Sequence, residues 1–324
     1  MQADNHQAER NPDKTAKVLN NHERGVMRSL VYFGLFNHPL TAEELRRYHP
    51  IKDITTEQVD AAIEQLLSLH IIFETQGYYQ LAHNVSHVER RIAGAALAKT
   101  YLQSAIRISC WIGCMPFVRG VLISGSLSKG YMDKGSDIDF FIVTQKGRLW
   151  LCRSMLAIIR KMMPKPLRKY FCINYFIDNH SLSIPDHNLF VATELAFVTP
   201  TYNKHVWVQL LESNEWFRAY YPNKLDTHEA IQDVNEWPWF KRIAERLLSG
   251  NFGEKLDTWF FNFMLKRWKK RYKDFDVDSF DLNIRTRKNV SKQHEKGHQF
   301  IVLQQFNTKM KELENLHGVK LNHD

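Results

Sequence analysis

The stretch Val121-Leu-Ile-Ser-Gly-Ser-Leu-Ser-Lys-Gly-Tyr-Met-Asp-Lys-Gly-Ser-Asp-Ile-Asp-Phe-Phe-Ile-Val143 decides how this chain is read. Val121 to Ser124 is a short apolar run, the mark of a buried strand. It runs into Gly125-Ser126, where a missing Cβ lets a ligand approach the backbone closely. The residues that follow can open a helix, whose unpaired N–H groups suit a phosphate. Ser126 adds a hydroxyl donor and Lys129 a positive charge. Ten residues after Ser126, from Leu127 to Ser136, the chain reaches Asp137-Ile138-Asp139 and a second apolar run through Val143. On a strand, residues i and i+2 share a face with Cα atoms about 6.6 Å apart. Asp137 and Asp139 are therefore expected to present two carboxylates together, while Ile138 and Phe140 point into the core. Two hard oxygen ligands beside a phosphate suit Mg²⁺, and an in-line displacement at phosphorus is the chemistry such ions serve.

Working outward, Leu149 to Met163 reads as a helix ended by Pro164 and Pro166, Tyr170 to Asp178 as a strand, and Asn188 to Phe197 as a helix closing before Pro200. Strands alternating with helices over residues 116–200 predict a small mixed α/β core. Upstream, residues 86–115 predict a long connecting helix. Residues 23–85 predict three helices and a hairpin. The second helix opens at Thr41 with Glu44 three residues on, a capping box, and the third opens at Thr55 or Thr56. Two β-rich runs flank Gln76-Gly77, a hairpin signal. Three helices and a hairpin make a winged helix-turn-helix pattern. Its third helix carries Glu57, Asp60 and Glu64 and no Lys or Arg, which weighs against reading DNA phosphates. Residues 1–22 are polar, have no apolar leader run, and are expected to form a mobile tail. Residues 201–324 read as mostly helical, with a basic loop before a helix from about His298 to Leu316. The fold class expected is α+β.

Of the 324 residues, 44% are hydrophobic and 24% charged, an ordinary globular balance. The most apolar stretch, Ile108 to Val118, is too short to span a bilayer. The four cysteines, Cys110, Cys114, Cys152 and Cys172, sit among apolar neighbours without a metal-type spacing. They read as buried free thiols and a cytoplasmic location. The net charge of +9 is uneven: Lys241 to Lys273 holds ten Lys/Arg against three Asp/Glu. Residues 237–275 add Trp237, Trp239, Phe240, Trp259, Phe260, Phe261, Phe263, Trp268 and Tyr272. Interleaved bases and aromatics can meet nucleic acid or an anionic membrane surface, or be a core face with a basic back. Arg285, Arg287, Lys288, Lys292 and His294 could close over a triphosphate, or form a solvated loop. His294 and His298 stand four apart without a fixed carboxylate partner. No hydrolase elbow, Walker loop or Rossmann glycine fingerprint is present.

The 121–143 pattern resembles the nucleotidyltransferase signature of the DNA polymerase beta superfamily: a hydrophobic strand, Gly-Ser, a gap of about ten, then Asp-h-Asp-h. With Gly130 and Ser136 also matching, it looks most like the minimal and antibiotic-modifying members. Leu30 to Thr41 resembles the opening of bacterial proteins in which a winged helix precedes such a domain, and Arg287 to His294 resembles a basic loop near their C-termini. The resemblance implies nucleotide binding by Gly125, Ser126, Ser128, Lys129 and Ser136. It implies Mg²⁺ (or Mn²⁺) at Asp137 and Asp139, with NTP, expected to be ATP, as substrate. AMP would pass to a hydroxyl on a small molecule, RNA or protein. Such enzymes carry a third carboxylate on a later strand. In Tyr170 to Asp178 the middle polar position is Asn174, so Asp178 or Glu194 stands in for it. The alternatives are a nucleotide-binding module with weak or no catalysis, and a DNA-binding regulator.

Overall fold

The structure is a computed structural model that describes residues 17–168, 170–224, 238–293 and 297–321. The chain is α+β. In order, its elements are β1 (Lys17–Val18), α1 (Asn21–Gly34), β2 (Leu40–Thr41), α2 (Ala42–Arg47), α3 (Thr56–Ser68), β3 (Phe73–Thr75) and β4 (Tyr78–Gln80). The long α4 (Val85–Gly113) leads to β5 (Val118–Ser124), α5 (Gly125–Ser128), β6 (Asp139–Thr144), α6 (Leu149–Met162), α7 (Lys165–Arg168) and β7 (Cys172–Asp178). Then come α8 (Leu189–Phe197), β8 (Thr199–Tyr202), α9 (Lys204–Glu212), a 3-10 turn (Glu215–Ala219), α10 (Trp239–Leu248), α11 (Asn251–Arg271) and α12 (Val277–Asn283). The hairpin β9 (Thr286–Arg287) and β10 (Val290–Lys292), helix α13 (His298–His317) and β11 (Val319–Lys320) close the chain.

The first helices start where side chains satisfy their unpaired N–H groups. Asn20 with Glu23, Thr41 with Glu44 and Thr55 with Gln58 each form a reciprocal capping box. The turn between β3 and β4 places Gln76 and Gly77 at positive φ, as a tight hairpin requires. β2, β4 and β3 form a three-stranded antiparallel sheet beside α1, α2 and α3. Glu57, Asp60 and Glu64 all lie on the exposed side of α3.

The central sheet has strand order β8-β5-β6-β7-β10-β9. Only β6 and β7 run parallel, joined by α6 as the crossover; the other neighbours are antiparallel. Ile138 and Phe140 are buried as expected, and Leu122, Ile123, Ile142 and Val143 fill the middle of the sheet. One hydrophobic core joins the N-terminal helices to one side of the sheet through α8 and α13, and a second lies under α4, α6 and α11.

Several expectations change. β6 begins at Asp139, not Asp137, because its partner β5 ends at Ser124, opposite Asp139, and turns away into α5. The basic loop is not a loop apart from the core: Val290, Ser291 and Lys292 pair with Ile177, Phe176 and Tyr175 of β7, so part of residues 201–324 completes the 116–200 sheet. Where 1–22 is described it is not a tail, since Lys17–Val18 pairs in parallel with Val319–Lys320 and α1 starts at Asn21. All four cysteines are free, but only Cys152 is buried; Cys110 is exposed on the outer side of α4. Among the described residues no helix is long and apolar enough to cross a membrane.

Candidate functional site

The end of β5, the start of β6 and the start of β7 meet at one edge of the central sheet. Gly125 has φ +69°, and a Cβ built on it would stand 2.5 Å from Asp139 Oδ2. Two constraints therefore select glycine here: the left-handed backbone and the close pass of a carboxylate. Asn174 Nδ2 donates to Asp139 Oδ1 at 2.9 Å, and Cys172 Sγ donates to Asn174 Oδ1 at 3.3 Å. The β6/β7 register shifts between Phe140 and Phe141, opposite Ile173 and Tyr175. Asn174 sits in that irregularity and turns its amide to Asp139.

Asp139 lines a cavity of about 620 Å³, together with Gly125, Ser126, Lys129, Asn174 and Glu194. Four carboxylates face this space. Asp133 is held by Arg90 at 2.5 Å, Asp186 by Arg285 at 2.8 Å, and Glu194 by Lys129 at 2.8 Å. Asp139 alone of the four has no ion pair among the described residues. Burial pushes its carboxyl up to about 6, helped by the negative charges of Glu194 and Asp137.

Glu194 takes the place of an anion at the Gly125 turn. Its Oε2 accepts from Gly125 N at 3.3 Å and its Oε1 from Lys129 Nζ, which also donates to Gly125 O at 3.1 Å. The expected nucleotide-binding side chains divide accordingly. Ser126 and Lys129 line the cavity. Ser128 turns its hydroxyl back to Gly125 O at 2.8 Å, and Ser136 lies in the turn after Asp133 and lines neither cavity described here.

Asp137 is exposed, two residues before the ladder, and opens onto a second cavity of about 830 Å³. Asn174 and His298 line both spaces, so the two meet there. Asp178 is not brought to either. It sits at the far end of β7, opposite Thr144, while Cys172 at the near end stands opposite Asp139. Six residues of strand span about 20 Å. Asp178 is buried and accepts from His180 N at 3.0 Å, which is the work of a turn residue.

The residues missed in the sequence come from a distance along the chain. The end of α1 and the turn after it, from Tyr32 to His38, wall the Asp139 cavity. His38 is buried there against Phe33 and Tyr131, and burial with the nearby cations Arg91, Lys129 and Arg90 lowers its pKa to about 3. Lys292 also lines the cavity, with Nζ 2.9 Å from Gln299 Oε1 and 4.0 Å from Asp186; burial lowers it to about 8. Of the basic loop only Lys292 does so. Arg285 is tied to Asp186, Arg287 to Asp281 and Lys288 to Thr258, while His294 lies outside the described residues.

The basic aromatic segment splits its rings. Trp268 is buried and Phe260, Phe261 and Tyr272 pack on the core, whereas Trp239, Phe240, Trp259 and Phe263 are exposed. Trp237 lies outside the described residues.

Could this set hold a divalent cation? Among the described residues no three His, Cys, Asp or Glu side chains gather as a self-sufficient metal site. Mg²⁺, however, is commonly bound by one or two carboxylates with substrate phosphates and water completing its shell. Asp139, without an ion pair among the described residues and pressed against a glycine turn, fits that incomplete donor set, whereas Asp137, two residues before it, opens onto the second cavity. Compared with known family models, curated proteins and solved structures, the chain matches none.

Proposed function

We propose that the chain is a Mg²⁺-dependent nucleotidyltransferase that moves AMP from ATP to a hydroxyl acceptor. The observation that carries this reading is the approach of Asp139 to Gly125: a half-buried carboxylate with no ion pair among the described residues, held against a left-handed turn where a Cβ would meet its oxygen. The three-helix and three-strand unit at the N-terminus is read as a winged helix, and the central sheet as a polymerase-beta-like core.

In this reading Asp137 and Asp139 hold the metal, which when bound neutralises phosphate charge and polarises the α-phosphate. Gly125 N–H, Ser126 and Lys129 receive the triphosphate, which takes over the contacts now made by Glu194. Lys292 adds a positive charge to the same space. The acceptor oxygen forms a bond to the α-phosphorus as the bond to the β-phosphate oxygen breaks, its proton passes to water, and pyrophosphate leaves. Asn174 cannot accept the acceptor's proton; it fixes the orientation of Asp139. α1 and its following turn wall the cavity and exclude water, which limits hydrolysis of ATP. The acidic outer face of α3 favours a structural use of the N-terminal unit over DNA binding. Incubation of the full chain with α-labelled ATP, Mg²⁺ and cell extract tests the proposal: label must pass to an acceptor, and must not do so with the double variant Asp137→Asn/Asp139→Asn.

A further inference from the structure

The second cavity differs from the first in its charge. Six cations line it: Arg153, Arg160 and Lys161 from α6, Arg168 from α7, and Arg267 and Arg271 from α11, against the single carboxylate of Asp137. One of the six is buried. The Arg153 side chain is 8% exposed, lies between the rings of Phe176 and Trp268 at 4.9 and 5.0 Å, and forms no ion pair among the described residues. Its Nη2 donates to Gln293 Oε1 at 2.9 Å, but Nη1 is buried with no hydrogen-bond partner. A buried guanidinium keeps its charge, and a donor left unpaired costs about 1–3 kcal/mol. An anion in the cavity would satisfy that donor and recover this cost.

The position of this cavity gives that anion a role. In-line displacement places the attacking oxygen opposite the leaving pyrophosphate. The triphosphate side is the Gly125–Lys129 turn, so the acceptor comes from the other side of Asn174, where the basic cavity opens beside Asp137. A hydrogen-bonded chain joins the two spaces: Arg153 to Gln293, Gln293 N to Asn174 O at 3.0 Å, and Asn174 to Asp139.

We infer that the acceptor is a small phosphorylated molecule, whose phosphate is held by Arg153, Arg160, Lys161 and Arg267 and whose hydroxyl faces the α-phosphorus at Asp137. This rests on the nucleotidyl-transfer reading. A cavity of about 830 Å³ suits a small molecule and favours it over a polymer. Charge-assisted hydrogen bonds from several cations outweigh the contacts of a neutral sugar.

The test is calorimetry on the full chain with a hexose phosphate, the same hexose without phosphate, and, separately, Mg²⁺ with a non-hydrolysable ATP analogue. The wild type is expected to bind the phosphorylated hexose at least about tenfold more tightly than the plain one. The triple variant Arg160→Gln/Lys161→Gln/Arg267→Gln, which changes only exposed side chains, loses that preference and keeps its affinity for the ATP analogue. Arg153→Lys, which keeps the buried charge, weakens hexose phosphate less than Arg153→Gln does. No preference in the wild type, a preference that survives the triple variant, or a matching loss of ATP affinity would each overturn the inference, the last by giving the cavity to the nucleotide. A short single-stranded oligonucleotide that binds more tightly than the hexose phosphate would also overturn it. If the ATP analogue binds and hexose phosphate does not, the inference fails alone; if the ATP analogue does not bind, the transfer reading fails with it.

Discussion

The two ends of the β6/β7 pair carry one buried or half-buried carboxylate each, and the contrast between them is instructive. At one end Asp139 stands against Gly125, receives one hydrogen bond from Asn174, and has its carboxyl pushed up to about 6. At the other, Asp178 faces a turn, where its oxygen accepts from the His180 N–H. Residue type and strand are no guide to role here. Each receives one hydrogen bond from the protein; what separates them is the surroundings, since Asp178 faces its own turn and Asp139 faces a cavity whose other carboxylates each have an ion pair while it has none among the described residues.

Substitution at each end should break that symmetry. Asp139→Asn removes a metal-holding oxygen and should lower transfer of label from ATP by at least about 100-fold, since even outer-shell partners of a metal cost about 10–100-fold; a fall of less than threefold would put the two ends on a par. The wall over the Asp139 end should be acid-labile. His38 is buried neutral, with a folded pKa of about 3 against 6.5 when free. Below pH 6.5 the unfolded chain takes up a proton that the folded one does not, so stability is lost as pH falls from about 6.5 towards 3. The thermal midpoint should drop over that window, and drop less in His38→Gln; an equal drop in the variant would remove His38 from the account.

Gly125→Ala combines positive φ with a Cβ facing Asp139 Oδ2. It should cost about 1–2 kcal/mol of stability and reduce ATP binding about tenfold, readable by denaturant melts and calorimetry. Gly130→Ala serves as the control, since its Cβ would meet nothing within 4 Å; equal loss of ATP binding in both would mean that backbone strain alone explains the effect. Glu194→Gln removes the carboxylate that occupies the Gly125 turn and should tighten ATP by a few-fold, roughly the worth of one partly exposed charge pair. Weaker binding would show that Glu194 supports the nucleotide. The smallest effect on transfer belongs to Asp178→Ala. It should cost about 1–2 kcal/mol of stability through the lost turn contact and leave transfer within about twofold.

Local pattern foretold much of this. The capping box of Thr41 and Glu44, the hairpin at Gln76-Gly77, and the strands and helices between 118 and 197 follow from short-range rules that the folded chain keeps. Gly125 and Asp139 were legible because Gly-Ser after an apolar run and Asp-Ile-Asp ten residues later form one pattern in the chain; the left-handed turn at Gly125 was not. What stayed hidden depends on contacts across it. Alternation alone puts Cys172, Asn174, Phe176 and Asp178 on one face, yet only Cys172 and Asn174 reach Asp139, because the register shift and the length of β7 intervene. No local signal ties the Tyr32–His38 wall to a cavity some hundred residues on, or makes Lys292 a buried strand residue. Arg153 reads as one more helix cation until Phe176 and Trp268 close over it.

The central claim is that Asp137 and Asp139 hold the metal for transfer from ATP. It is met most directly by incubating wild type and Asp137→Asn/Asp139→Asn with α-labelled ATP, Mg²⁺ and cell extract, after showing that both fold to the same thermal midpoint within a few degrees. The account predicts a labelled acceptor with the wild type and none with the variant. Equal labelling by the two proteins would contradict it.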